Sequence, residues 1–146
     1  MRTKAELLQK SKTIAVVGLS PKPDRPSYEV ASYLKTQGYR IIPVNPNEKE
    51  VLGEKCYPDL LSIPEPVDTV DIFRRSEEVM PVVEQAIAIK ASCVWMQDGV
   101  INEAAAAKAR SAGLEVIMND CIARQHRMLS AQGLLARKEG PPSPRL

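Results

Sequence analysis

The residues with the most chemical content stand together in one stretch, Gly18-Leu19-Ser20-Pro21-Lys22-Pro23-Asp24-Arg25-Pro26-Ser27. Gly18 permits a close backbone approach, Ser20 and Ser27 carry hydroxyls, and Lys22 and Arg25 carry positive charge. Ser27 reads as the N-cap of a helix, whose start adds unpaired N–H groups and a positive dipole end. Together these are the parts of an anion site, and phosphate is the anion they suit. The plainer account is a proline-stiffened turn with two solvated cations. Position favours the phosphate reading, because Thr13-Ile14-Ala15-Val16-Val17 just before it reads as a buried strand. In open parallel sheets, ligands bind beyond the carboxyl ends of the strands.

A dinucleotide fingerprint needs Gly-x-Gly-x-x-Gly and an acidic residue after the second strand. Here Ser20 and Pro23 occupy the second and third glycine positions, and the second strand ends in Asn45-Pro46-Asn47. The first acid, Glu48, follows only after that proline turn. This is a poor NAD site. A nucleotide with an extra ribose phosphate suits the missing acid and the two cations better. NADP and coenzyme A (CoA) both qualify, and spacing does not separate them.

Other reactive residues read more plainly. Cys56, Cys93 and Cys121 are odd in number, widely spaced and without a CxxC pair, so a zinc site is not expected. Cys121 reads as a small core residue, with a functional thiol as the sharper alternative. His126, within Arg124-Gln125-His126-Arg127, reads as part of a solvated basic surface. Asp98 has no visible base partner, and Trp95 reads as core. One of Arg74 and Arg75 is a reasonable anion contact, since a strand ends just before them. No nucleophile, base and orienter can be assembled, so catalysis is not expected. The alternative is a small enzyme that uses NADP or handles an acyl-CoA.

Strand and helix alternate through the elements that must position these residues. Thr3-Lys4-Ala5-Glu6 has the spacing of a capping box for a first helix. After the first strand comes a helix carrying Val30, Ala31 and Leu34 and closed by Gly38. Arg40-Ile41-Ile42-Pro43-Val44 is the next strand, with Pro43 favouring an edge or a bulge. A short strand near Lys55-Cys56-Tyr57 and a helical turn at Asp59-Leu60-Leu61 fill a weaker stretch. Thr69-Val70-Asp71-Ile72-Phe73 is a strand, and Ser76 is expected to cap a helix reaching Lys90, with Pro81 near its first turn. Cys93-Val94-Trp95-Met96 and Glu115-Val116-Ile117-Met118 complete the strands, separated by a helix that Asn102 caps and Gly113 stops. The expected fold is an α/β Rossmann-like doubly wound, mostly parallel sheet of about five strands, with helices on both faces. Residues 1–130 form the expected single domain, and 131–146, ending in Gly140-Pro141-Pro142-Ser143-Pro144, an expected flexible tail.

Composition narrows the function classes. The 146 residues include 20 Lys+Arg against 18 Asp+Glu, a balance too even for an electrostatic grip on nucleic acid. One Trp, four Tyr and one Phe leave little material for stacking bases. No apolar run approaches the roughly 20 residues of a membrane span, and the N-terminus does not read as a signal peptide. A reduced, cytoplasmic setting is expected, without nucleic-acid or membrane partners.

The run Gly18-Leu19-Ser20 with Pro23, Arg25, Ser27-Tyr28, Val30, Tyr33-Leu34, Gly38-Tyr39 and Pro43-Val44-Asn45-Pro46 resembles the stand-alone bacterial CoA-binding protein family. Trp95-Met96-Gln97-Asp98-Gly99-Val100 and Asn102-Glu103 match the same family further along. These proteins are similar to the CoA-binding domain of the succinyl-CoA synthetase α subunit. The resemblance implies that Gly18, Leu19, Ser20 and Ser27 hold the diphosphate of CoA or an acyl-CoA. It implies that Lys22 and Arg25 compensate phosphate charge, and that Asn45 and Pro46 border the adenosine. Phe73 and Arg74 would line the next strand end, with Gln97 and Gly99 toward the pantetheine arm. The family often has Cys-Pro at the last strand's exit, where this chain has Cys121-Ile122.

Overall fold

The computed structural model describes residues 2–139. Its centre is a five-stranded parallel sheet made of β1 (Thr13–Val17), β2 (Arg40–Val44), β5 (Thr69–Ile72), β6 (Cys93–Met96) and β7 (Glu115–Ile117). Between β2 and β5, β3 (Glu50–Val51) and β4 (Glu54–Lys55) form a two-stranded antiparallel hairpin. The strand order is β2-β1-β5-β6-β7. The chain steps outward from β1 to β2, then returns to β1's other side. That reversal places a topological switch point between β1 and β5, where loops diverge and leave a crevice.

Successive strand side chains point to opposite faces, and both faces are buried. On one, Ala15, Val17, Val70, Ile72, Val94 and Met96 pack with Val79, Val83 and Ala86 of α3 (Val79–Ala88) and the alanines of α4 (Glu103–Ser111). On the other, Ile14, Val16, Ile41 and Trp95 meet α1 (Lys4–Lys10), α2 (Pro26–Thr36) and α5 (Ile122–Ala131). The expected doubly wound α/β sheet is therefore present, with five parallel strands. Among the described residues, no helix is long and apolar enough to cross a membrane.

The local signals explain most boundaries. Thr3 and Glu6 form the capping box of α1, Asn102 accepts from the Ala105 N–H at the start of α4, and Gly38 follows α2 with φ +96°. Pro43 is tolerated because β2 is an edge strand. Its carbonyl turns outward to accept from the Tyr57 N–H at 3.0 Å, so its missing N–H would also have faced that edge.

Two expected caps are corrected. The helix expected to be capped by Ser27 begins two residues earlier, with Arg25 as N-cap and Pro26 first, because proline's fixed φ suits that position. Ser76 opens a 3₁₀ turn over Ser76–Glu78, and α3 begins at Val79, with Pro81 in its first turn. The Ser76 hydroxyl instead accepts from the Ile101 N–H (2.9 Å) and donates to the Gly99 carbonyl (3.3 Å), tying two strand-end loops together.

The segment expected as a tail begins where α5 ends. Its described part folds back against α1: the Ala136 N–H donates to Gln9 Oε1 (2.8 Å) and Lys138 Nζ to the Gln9 carbonyl (2.6 Å). Residues 140–146, with the proline cluster, lie outside the described residues.

Candidate functional site: a cleft at the strand ends

An open cleft of about 790 Å³ lies at the carboxyl ends of β1, β5 and β6. One wall is Gly18, Ser20, Lys22, Arg25, Pro26, Ser27 and Val30; the other is Phe73, Arg74, Arg75, Glu78, Gln97, Asp98, Val100 and Cys121. Of the sequence-predicted site residues, Gly18, Ser20, Lys22, Arg25, Ser27, Phe73, Arg74 and Gln97 come together here. Leu19, Asn45, Pro46 and Gly99 are not among the lining residues. The Leu19 side chain is buried in the core, and Asn45 works locally, donating to the Leu19 carbonyl (3.0 Å) and accepting from the Asn47 N–H (2.9 Å). Pro46 and Gly99 are exposed beyond the cleft, and the Gly99 N–H donates to Asn119 Oδ1 at 2.7 Å. Val30 and Val100, which entered as parts of the family pattern, and Glu78, which carried no signal, also line the cleft. Apolar or acidic types at those positions fit any surface helix or loop.

The turn after β1 is held by its own hydrogen bonds. Gly18 N–H donates to the Val44 carbonyl (2.8 Å), Ser20 N–H to Ser27 Oγ (3.0 Å) and Lys22 N–H to Ser20 Oγ (3.1 Å). Those three amides are therefore committed inside the protein. The Ser27 hydroxyl, expected to cap the helix, instead braces the loop from the buried side of α2. Gly18 is needed for the neighbouring chain: at φ +86°, a Cβ there would lie 2.1 Å from the Phe73 carbonyl oxygen. The close backbone approach expected of Gly18 is thus made by β5's exit, and it seals the base of the switch point.

The cleft's charges divide into spent and free. Arg75 pairs with Glu78 (3.2 Å) and Glu77 (3.6 Å), and Arg124 makes two 2.8 Å bonds to Asp98. The hydrogen-bonded guanidiniums hold the Glu78 and Asp98 carboxyls below the ordinary range. Asp98, without a base partner in sequence, is thus held by a cation. Among the described residues, Lys22, Arg25 and Arg74 form no salt bridge. Three cations outside any salt bridge around one crevice make it attractive to a multiply charged anion.

At the far end Asp98 is offset by Arg124, and the remaining lining is uncharged. Gln97, only 4% exposed, accepts from the Ile122 N–H through Oε1 at 3.1 Å. That bond fixes the amide's orientation and leaves its NH₂ as the donor offered to the cleft. Cys121 stands beside it at the start of α5, half-buried rather than sunk in the core. The adjacent Asp120 is drawn upward by burial, but hydrogen bonds from Lys4, Gln125 and Arg124 outweigh this and keep its carboxyl below the ordinary range. Trp95, expected as core, is fully buried and donates its indole N–H to the Asp120 carbonyl (3.0 Å).

Two residues depart from the sequence reading. His126 is 6% exposed rather than solvated, because it falls one turn after Ile122 on α5's inward face. Its Nδ1 lies 2.7 Å from the Tyr33 hydroxyl. Asp71, read only as a strand residue, is fully buried in β5 with neither carboxyl oxygen hydrogen-bonded. Burial pushes its pKa well above the ordinary carboxylate range. Among the described residues, no group of His, Cys, Asp and Glu is arranged to hold a metal.

A family described as a CoA binding domain matches residues 12–127, which spans every strand and the whole cleft. The chain belongs to the CoA-binding domain family. It is 46% identical over 121 residues to the uncharacterized protein YneT of Bacillus subtilis, covering 83% of this chain and 90% of that one. It is 42% identical over 81 residues to acetate–CoA ligase [ADP-forming] II of Archaeoglobus fulgidus, covering 54% of this chain and 12% of the ligase. A solved structure of a hypothetical protein from Pyrococcus horikoshii superposes with a TM-score of 0.85 at 43% identity, covering 88% of this chain and 93% of that one. The family extends over the whole sheet, whereas the ligase match occupies a small part of a much longer enzyme.

Proposed function

We propose that the strand-end cleft binds coenzyme A or an acyl-CoA, and that the chain acts as a binding module without chemistry of its own. The observation that carries this reading is the set of three unpaired cations, Lys22, Arg25 and Arg74, around a crevice whose other end carries no net charge. CoA has the same polarity: a diphosphate and a ribose phosphate at one end, and an uncharged amide-containing arm at the other. Because the turn's amides at Gly18, Ser20 and Lys22 are already used, phosphate charge falls on the side chains and on the start of α2. Pro26 has no N–H, so the Ser27 amide is the helix's first donor. The arm runs over Gln97, whose NH₂ suits an amide carbonyl, toward Cys121. A binding role without catalysis accords with Asp98 being held by Arg124 and His126 lying outside the cleft. Family membership adds support, and the part of the ligase that matches is too short to bring that enzyme's reaction with it.

Calorimetry with CoA, dephospho-CoA and NADP, each at two salt concentrations, tests the reading. Saturable CoA binding is expected, weaker without the ribose phosphate and weaker again in Ser20→Asp, whose carboxylate repels the phosphates. Equal affinity for CoA and dephospho-CoA, or unchanged affinity in Ser20→Asp, overturns the assignment of the phosphates to this wall.

A further inference from the structure

A second cavity, of about 600 Å³, lies at the other end of α2, between its last turn, α5 and the returning C-terminal segment. Thr36 in its wall is nine residues beyond Ser27 in the cleft, or roughly 14 Å along the helix at 1.5 Å per residue. None of its described lining residues is acidic, while Lys35, Arg137 and Lys138 are basic. Lys35 is already paired with Glu54 (3.0 Å), which leaves Arg137 and Lys138 as the effective cations. The Tyr33, Leu34 and Lys35 carbonyls near the end of α2 accept from the N–H groups of Gln37, Gly38 and Tyr39.

The cavity's buried polar group is His126. The Tyr33 hydroxyl lies 2.7 Å from His126 Nδ1, and Ser130 Oγ lies 3.5 Å from the same atom. With the phenol as donor, the neutral ring carries its hydrogen on Nε2. Among the described residues none hydrogen-bonds Nε2, and the fully buried side-chain atoms without partners are the Asp71 oxygens. His126 is among the residues that line the cavity. We propose that this cavity is a second anion site, separate from the cleft, taking a compact oxyanion of the phosphate class on the His126 Nε2–H, the Ser130 hydroxyl, Arg137 and Lys138.

The surroundings of His126 agree with that sign. Its pKa is lowered first by burial and then by the positive charges of Lys138 and Arg127. Around the ring stand Tyr33 and Lys35 from α2, Tyr39 before β2, Arg127 from α5, and Arg137 and Lys138 from the C-terminal segment. An anion seated among them relieves the repulsion and moves the imidazole's titration toward higher pH.

His126 is the chain's single histidine, so its ring signal in an NMR spectrum of the full chain is unambiguous. Inorganic phosphate is titrated against chloride at constant ionic strength. A saturable shift of the ring signal, with the His126 midpoint raised by phosphate, is expected. Arg137→Ser and Lys138→Gln, both away from the cleft, are each expected to weaken saturation about tenfold, a charge-assisted hydrogen bond's worth. Ser20→Asp is expected to leave it unchanged, which separates this site from the cleft. A linear drift without saturation, a response that survives both basic-residue variants, or one abolished by Ser20→Asp overturns the proposal.

Discussion

Replacing Gly18 by alanine inserts one methyl group at the point where the exits of β1 and β5 touch. Gly18 has φ +86°, a conformation that costs an L-residue about 1–2 kcal/mol. The new Cβ would also stand 2.1 Å from the Phe73 carbonyl oxygen and 3.1 Å from its carbon. Those are backbone atoms, and Phe73 is itself anchored by its N–H bond to the Val17 carbonyl (2.8 Å). Relief therefore means prying β5's exit from β1, an overpacking strain of about 1–3 kcal/mol. The sum is about 2–5 kcal/mol, a large share of the roughly 5–15 kcal/mol that holds a domain together. For a chain of this length, the melting temperature should fall by roughly 10 °C. Gly113→Ala supplies the control, because Gly113 has φ +91° but nothing within 4 Å of its virtual Cβ. It should lose only the conformational cost, about 1–2 kcal/mol. Thermal unfolding followed by circular dichroism measures both variants, and equal losses refute the reasoning from close contact.

Further outcomes follow from other residues. The raised pKa of Asp71 means the folded state holds that proton more tightly than the unfolded chain does. Its contribution is therefore complete below the ordinary carboxylate range near 3.8 and lost as pH rises through the folded value. Denaturant titrations across that span should show stability declining in the native chain relative to Asp71→Asn; parallel curves would mean the carboxyl is not held neutral. Cys93 is buried and its thiol is pushed up to about 12, chiefly by desolvation, whereas Cys121 is half-buried at the cleft. A mild alkylating reagent should label Cys121 first, and peptide mapping that finds Cys93 labelled first contradicts this placement. Ser27→Ala removes the acceptor for the Ser20 N–H and should cost about 1–3 kcal/mol together with a loosened loop. CoA affinity measured on the folded variant should drop with it; an unchanged melting temperature and affinity would show that the brace does not matter.

Much of the architecture was legible because it depends on neighbours along the chain. A continuous β-branched run such as Thr13–Val17 has only a doubly covered parallel strand to join, and capping signals at Thr3 and Asn102 act within three residues. The glycine, hydroxyl and basic residues between β1 and α2 were visible as a candidate site for the same reason, since one short loop carries them all. Even the edge position of β2 was foreshadowed by Pro43, which has no N–H to give a second neighbour. What partners those residues take depended on segments far away in sequence. Ser27 looked like a cap, but Ser20 turns its N–H toward the hydroxyl once the loop closes. Gly18 looked like room for a ligand, yet Phe73, 55 residues further along the chain, fills that space. His126 read as surface because its sequence neighbours are basic, while α5's docking against Tyr33 and Tyr39 buries it. Asp71 is the strongest case. Nothing in Thr-Val-Asp-Ile marks a carboxyl for complete burial; only the packing of β1 and β6 on either side of β5 withdraws it from water without supplying a partner. Local backbone preferences and periodicity are short-ranged and can be read along the chain, whereas burial and pairing of polar groups are set by contacts that exist only after the sheet has assembled.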